Sequence, residues 1–181
     1  MIEHGDSKEV ELEYTYLAAQ LPAEIQNATP KRMIDVYIPE LTGQHPHLRV
    51  RQKGAKYEIT KKSPVVEGDS SVMHETTIPL DDVEFSYLSK ASPLKVEKDR
   101  YEVTIDGFDA EVDVFRGNLQ GLVLIDFEFT SMEERAQFVV PSVCLVDVTQ
   151  EDFIAGGLLA GKSYQDIAAK LDAVGYQAIT S

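Results

Sequence analysis

The chain has 181 residues, 43% of them hydrophobic, which is enough for one domain with a real core, or for one domain with a small appendage. Its 31 acidic and 17 basic residues give a formal charge of −14, with an isoelectric point near 4.6, which argues against general binding to nucleic acid or to an anionic membrane. The opening MIEHGDSKEV has no apolar signal region, no run approaches the roughly 18 apolar residues of a membrane span, and a single cysteine excludes an internal disulfide, so a cytoplasmic protein is expected.

Eight strand candidates come first, at about 9–17, 33–38, 47–53, 56–62, 72–78, 95–105, 109–115 and 121–130. Gly54 inside Lys53–Lys56 and the Asp106-Gly107 pair are hairpin turns, and Glu67–Ser70 is a polar loop. Leu80 to Leu88 has the spacing of a short crossover helix. From about residue 131 the pattern turns helical. Ser131 before Glu133 and Glu134, Thr149 before Glu151 and Asp152, and Ser163 before Asp166 each read as a helix start, and Gly175 as a stop. Cys144 lies in an apolar run and reads as a small buried hydrophobe. Many antiparallel strands followed by short helices predict a closed or nearly closed sheet with helices at its end.

Charge is sorted by face along these strands. Side chains on a strand repeat with period two, so residues of one parity share a face. Glu9, Glu11 and Glu13 form one such set, as do Arg49, Arg51 and Lys53, Glu58, Thr60 and Lys62, Lys98 and Arg100, Glu111 and Asp113, and Asp126 and Glu128. Six of the 17 Lys and Arg fall between Arg49 and Lys62. The first and last strands carry carboxylates and the middle ones cations. A solvated sheet face would tolerate charge too, but like charges on one strand repel, and clustering calls for a compensating ion or ligand. A face with separate acidic and basic stripes suits a metal and a small polyanion together. If Glu75 and Lys62 point inward, His74 and Lys61 face outward by parity. His45 and His47, flanking Pro46, carry no ligand spacing.

Gly156 to Ser163 matches the phosphate-loop expression G-x-x-x-x-G-K-[ST] letter for letter. That loop needs a strand before it and a parallel sheet around it. Residues 149–155 read as helix and only 18 residues follow Ser163, so a helix–glycine–helix junction is expected instead.

Taken together, Glu11-Leu12-Glu13, Arg49-Val50-Arg51, Thr60-Lys61-Lys62, Val96 to Tyr101, Glu111 to Phe115 with Gly117, Asp126-Phe127-Glu128-Phe129 and Asp147-Val148-Thr149 resemble, in order and spacing, the motifs of the CYTH family, the triphosphate tunnel metalloenzymes. The resemblance spans about Glu9 to Ala160. It implies an α+β, mainly antiparallel fold: one CYTH-like domain over 1–181, an eight-stranded closed barrel at about 9–130 and C-terminal helices at about 131–175 packed at its end. It implies hydrolysis of a triphosphate, foremost inorganic tripolyphosphate, with Mg²⁺ or Mn²⁺. A non-catalytic polyanion binder or, further off, an adenylate cyclase are the alternatives. A homodimer would suit a barrel of this size.

The resemblance assigns Arg49, Arg51, Lys62, Lys98 and Arg100 to the triphosphate, and Glu11, Glu13, Glu75, Asp126 and Glu128 to the metal. It gives Lys62, Glu13 and Glu128 catalytic roles and Asp113 that of orienting a neighbouring arginine. The residue types fit, since carboxylate oxygens are hard ligands for Mg²⁺ and guanidinium groups bind phosphate oxygens in pairs. Three positions depart from the family pattern: Thr15 stands for a lysine, Thr77 for a glutamate, and Gly157 where a C-terminal lysine is expected, while Asp126 is one methylene shorter than the usual glutamate.

Overall fold

The computed structural model describes residues 9–40 and 46–180, with side chains from residue 11 onward. Nine strands form one antiparallel sheet: β1 (Glu9–Ala18), β2 (Lys31–Ile38), β3 (Leu48–Lys53), β4 (Lys56–Pro64), β5 (Val72–Leu80), β6 (Lys95–Ile105), β7 (Phe108–Phe115), β8 (Val123–Phe129) and β9 (Cys144–Asp147). Their spatial order is β5-β4-β3-β2-β6-β7-β8-β1-β9, and an additional β1–β5 pairing closes the first eight into a barrel. Strand β1 does this by changing neighbours along its length: Glu9 to Leu12 pair with β5, Leu12 to Leu17 with β8, and Tyr16 to Ala18 with β9.

Local chemistry explains the corners. Asp106 and Gly107 both have positive φ, 50° and 91°, the conformation that matches a two-residue hairpin to the twist of its strands. Asp81 and Glu84 form a reciprocal capping box that starts α1 (Asp82–Leu88). Ser131 caps α2 (Met132–Ala136), and Ser163 with Asp166 caps α4 (Tyr164–Ala173).

The barrel is built inside out. With Glu13, Thr15, Asp113 and Asp126 turned inward, the opposite parity of β1, β7 and β8 puts Tyr16, Val112, Val114, Ile125, Phe127 and Phe129 on the outer wall, where they form a buried cluster. Leu21, Ile25 and Phe138 pack over it, with the Phe138 ring 4.8 Å from that of Phe127 and 5.3 Å from that of Phe129. Phe127 is completely buried, and truncating such a ring to alanine costs ~3–5 kcal/mol. A second cluster sits at one end of the barrel. Leu17, Tyr37, Val96, Phe115 and Leu124 meet Phe153, Ile154, Leu159, Ile167, Leu171 and Tyr176 of the C-terminal segment there. The Tyr176 hydroxyl fixes that segment by donating to Gly121 O and accepting from Val123 N, each at 2.8 Å.

Several expectations need correction. The segment after Phe129 is not purely helical, because Cys144–Asp147 form β9, four residues too short to show a period. Cys144 is therefore half-buried in a strand, and desolvation pushes its thiol up to about 12. Thr149 does not start a helix; its N–H and hydroxyl both donate to Asp147 Oδ1, making a tight turn that a short 3₁₀ segment, Asp152–Ile154, follows. The eighth strand begins at Val123, after Gly121 takes φ 102°. Gly156–Leu159 are helical (α3) and follow that 3₁₀ segment rather than a strand, so the phosphate-loop match is fortuitous. Among the described residues no helix is long and apolar enough to cross a membrane.

Candidate functional site

The inward faces of all eight barrel strands enclose a cavity of about 640 Å³. Strand by strand it receives Glu11, Glu13 and Thr15; Asp35 and Tyr37; Arg49, Arg51 and Lys53; Glu58, Thr60 and Lys62; Glu75 and Thr77; Lys98 and Arg100; Glu111 and Asp113; and Asp126 and Glu128. Every residue assigned from sequence to triphosphate, metal, catalysis or orientation thus lies on one tunnel wall. Glu9, whose parity matches, has its side chain outside the described residues. His47 lines the tunnel, His45 lies outside the described residues, and His74 and Lys61 are not part of the lining.

Burial sorts the cations into two groups. Arg51, Lys98 and Arg100 are almost fully buried, and each is tied to a carboxylate. Arg51 makes a fork-to-fork pair with Asp35, Nε to Oδ1 at 2.6 Å and Nη2 to Oδ2 at 2.7 Å. Arg100 does the same with Asp113, at 2.7 and 2.6 Å, and also contacts Glu111. Lys98 donates to the same Asp113. Burial raises Asp113, but Arg100 and Lys98 overcome it and bring its carboxyl down to about 2. Lys98 is pulled the other way: desolvation first, then Arg100, lower it to about 8 against the attraction of Asp113 and Asp35.

Arg49 and Lys62 are somewhat more exposed, their side chains 15% and 22% accessible. The Arg49 Nε is buried with no hydrogen-bond partner among the described residues, and its Nη2 lies 3.7 Å from Glu75 Oε2. A buried guanidinium N–H without a partner is costly unless a ligand supplies one. The Lys62 ammonium stands among three carboxylates, bonded to Glu11 and 3.3 and 3.9 Å from Glu75 and Glu13. Glu75 Oε2 is likewise buried without a well-formed hydrogen bond.

The carboxylates outnumber the cations. Among the described residues six cations and eleven carboxylates line the tunnel, five of the latter being Glu11, Glu13, Glu75, Asp126 and Glu128. Glu13 is pushed up to about 7, first by burial and then, against the attraction of Lys62, by repulsion from Asp126, Glu11 and Glu128. Among the described residues no three acidic, imidazole or thiol side chains already converge as a ready metal cluster. Even so, an all-oxygen donor set with a net negative surplus fits a hard divalent cation.

Sequence reading missed Asp35 and the wall contributed by the C-terminal segment. Asp35 lies between apolar Ile34 and Val36, and only the register reveals its role, pairing it across the strands with Arg51. Glu151, Asp152 and Gly156 reach the tunnel from a stretch read as a helix. Gly156 is required by its neighbour, since a Cβ there would overlap the Tyr37 hydroxyl and lie 3.0 Å from Tyr37 Cζ. Two of the three departures, Thr15 and Thr77, have a local side-chain partner. The Thr15 hydroxyl donates to Asp126 Oδ1 at 2.7 Å, and Thr77 donates to Glu75 Oε1 at 2.9 Å while lying 3.0 Å from the Thr60 hydroxyl.

No protein-family model matches the chain. An inorganic triphosphatase of Nitrosomonas europaea is 34% identical over 143 residues, covering 78% of this chain and 90% of that protein. A solved inorganic triphosphatase structure superimposes with a TM-score of 0.61 at 30% identity, over 83% of this chain and 93% of that one. A Pyrococcus furiosus protein, 17% identical over 92% of this chain and 91% of its own, shares the fold with a TM-score of 0.51.

Proposed function

The chain belongs to the CYTH family, the triphosphate tunnel metalloenzymes, and we propose that it hydrolyses inorganic tripolyphosphate to pyrophosphate and phosphate with Mg²⁺ or Mn²⁺. The observation that carries this reading is the closed tunnel in which buried cations face a surplus of carboxylates. The cytoplasm is the proposed location.

The cations bind and orient the substrate. Arg49, with its unpartnered Nε, and Lys62 meet one part of the phosphate chain; Arg51, Lys98 and Arg100, already held by Asp35 and Asp113, present their remaining N–H groups to another. Asp113 fixes Lys98 and Arg100 so that little ordering is left for the moment of binding. Phosphoryl transfer asks mainly for such positioning and charge neutralisation.

Glu11, Glu13, Glu75, Asp126 and Glu128 would hold the divalent cation. When bound, it supplies neutralisation of phosphate oxygens and acidifies water. Glu13, on the same wall, is the carboxylate proposed to take a proton from the attacking water. The water oxygen forms the new P–O bond to the terminal phosphorus, the bridging P–O bond breaks, and pyrophosphate leaves among the tunnel cations.

The test is phosphate release from tripolyphosphate, thiamine triphosphate and ATP, each with Mg²⁺, with Mn²⁺ and with chelator. Fastest release from tripolyphosphate that chelator abolishes is expected. Release from none of the three with either metal would overturn the proposal.

A further inference from the structure

We propose that Thr15 is a positioning residue whose hydroxyl presets the Asp126 carboxylate to receive a divalent cation. The inference rests on the tunnel being a metal-dependent triphosphatase.

Thr15 and Asp126 face each other across β1 and β8. The backbone of Thr15 is turned away from that partner. Its N–H donates to Thr149 Oγ1 at 3.0 Å and its carbonyl accepts from Val148 N–H at 2.8 Å. Thr15 and Asp126 are therefore a pair of the narrow kind, without mutual backbone hydrogen bonds, in which Cα atoms approach to about 4.5 Å and side chains come closest. Two short side chains meet directly at that spacing, as the 2.7 Å hydrogen bond shows.

The contact fixes the carboxylate without neutralising it. The single hydroxyl proton is spent on Oδ1, and Oδ2 lies 3.5 Å from Arg100 Nη2, so the carboxylate plane is set at both ends. A carboxylate offers about four lone-pair directions, leaving several free toward the tunnel that Asp126 lines.

The hydroxyl itself is held firmly. β-branching restricts its χ1. The clamp on the Thr15 backbone is anchored in turn by Asp147, whose Oδ1 accepts from the Thr149 N–H at 2.9 Å and hydroxyl at 2.6 Å. Groups that orient a metal ligand in this way typically contribute 10–100-fold to metal affinity or activity, on the order of magnitude seen across metal sites.

The experiment is Mn²⁺ binding without substrate, followed by the electron-paramagnetic signal of free Mn²⁺, on wild type, Thr15→Val, Thr15→Ser, Asp126→Asn and the Thr15→Val/Asp126→Asn double variant. Circular dichroism melts check folding. Thr15→Val is expected to weaken Mn²⁺ binding about 10–100-fold and to raise the Mn²⁺ concentration for half-maximal turnover, with kcat at saturating Mn²⁺ little changed. Thr15→Ser should bind like wild type, and Thr15→Val should add nothing once Asp126 is Asn. Thr15→Ser, which keeps the hydroxyl, keeps the comparison decisive if Thr15→Val unfolds: a serine variant with the affinity of Asp126→Asn overturns the proposal. So does a folded Thr15→Val protein with wild-type affinity, or one whose loss persists in the Asn background. Wild type that turns over tripolyphosphate beside an unaffected Thr15→Val sinks this inference alone. Wild type that neither binds Mn²⁺ nor releases phosphate sinks the functional reading and this inference with it.

Discussion

The Arg51 guanidinium lies flat against the Asp35 carboxylate, both side chains almost wholly buried in the tunnel wall, with hydrogen bonds of 2.6 and 2.7 Å. Burial raises Asp35, yet the charge and hydrogen bonds of Arg51 hold its carboxyl well below the usual range. The pair sets a buried carboxylate against a buried cation. Removing one partner leaves a buried, uncompensated charge, which costs ~3–5 kcal/mol. Asp35→Ala is therefore expected to lower the melting temperature by about 10 °C, taking roughly 2–4 °C per kcal/mol for a chain this long. A calorimetric melt reads it directly, and an unchanged midpoint would contradict the assignment of Asp35 as the counter-ion of Arg51.

Lys98 gives a pH dependence. Desolvation and Arg100 lower its ammonium to about 8. Below that pH the side chain is charged and attracts phosphate; above it the charge is lost. The value of kcat/KM should fall as pH rises through about 8. Lys98→Gln should be slower throughout and lack that limb of the profile. A wild-type profile flat from pH 7 to 9, measured at constant ionic strength and saturating metal, would speak against Lys98 as a phosphate contact.

How much of this was legible follows from what each signal depends on. Period two needs only a residue and its neighbours, so the eight barrel strands and the shared parity of each charged set could be read from the chain, while the inward sense of Glu13, Arg49, Lys62 and Asp126 came with the family resemblance. Pairing partners sit on other strands. That Arg51 is held by Asp35, and that Glu111 adds to Asp113 in holding Arg100, depends on register, which no single strand encodes. Asp35 looked like an isolated polar residue in an apolar strand for the same reason. Strand β9 escaped because four residues cannot display alternation. Thr149 was misread because an oxygen side chain ahead of acidic residues suits a helix cap and an Asp147-centred turn equally well.

Gly156 tests the C-terminal wall of the tunnel. A methyl group there would overlap the Tyr37 hydroxyl, and overpacking of this kind costs ~1–3 kcal/mol. Gly156→Ala should lower the denaturant midpoint without changing its slope. An unaltered midpoint would mean that the contact between Gly156 and Tyr37 is looser than described.

The most direct measurement is steady-state phosphate release from tripolyphosphate by wild type and Glu128→Gln, each titrated with Mg²⁺ from zero in chelator-treated buffer. Glu128 lines the tunnel beside Asp126 and Glu13, and the substitution removes its charge while keeping its size. Activity that is absent without metal, rises with Mg²⁺ in wild type and is lost or shifted to far higher Mg²⁺ in Glu128→Gln is the predicted result. Release that persists without metal, or that Glu128→Gln matches at every Mg²⁺ concentration, would contradict the carboxylate cluster as the metal site.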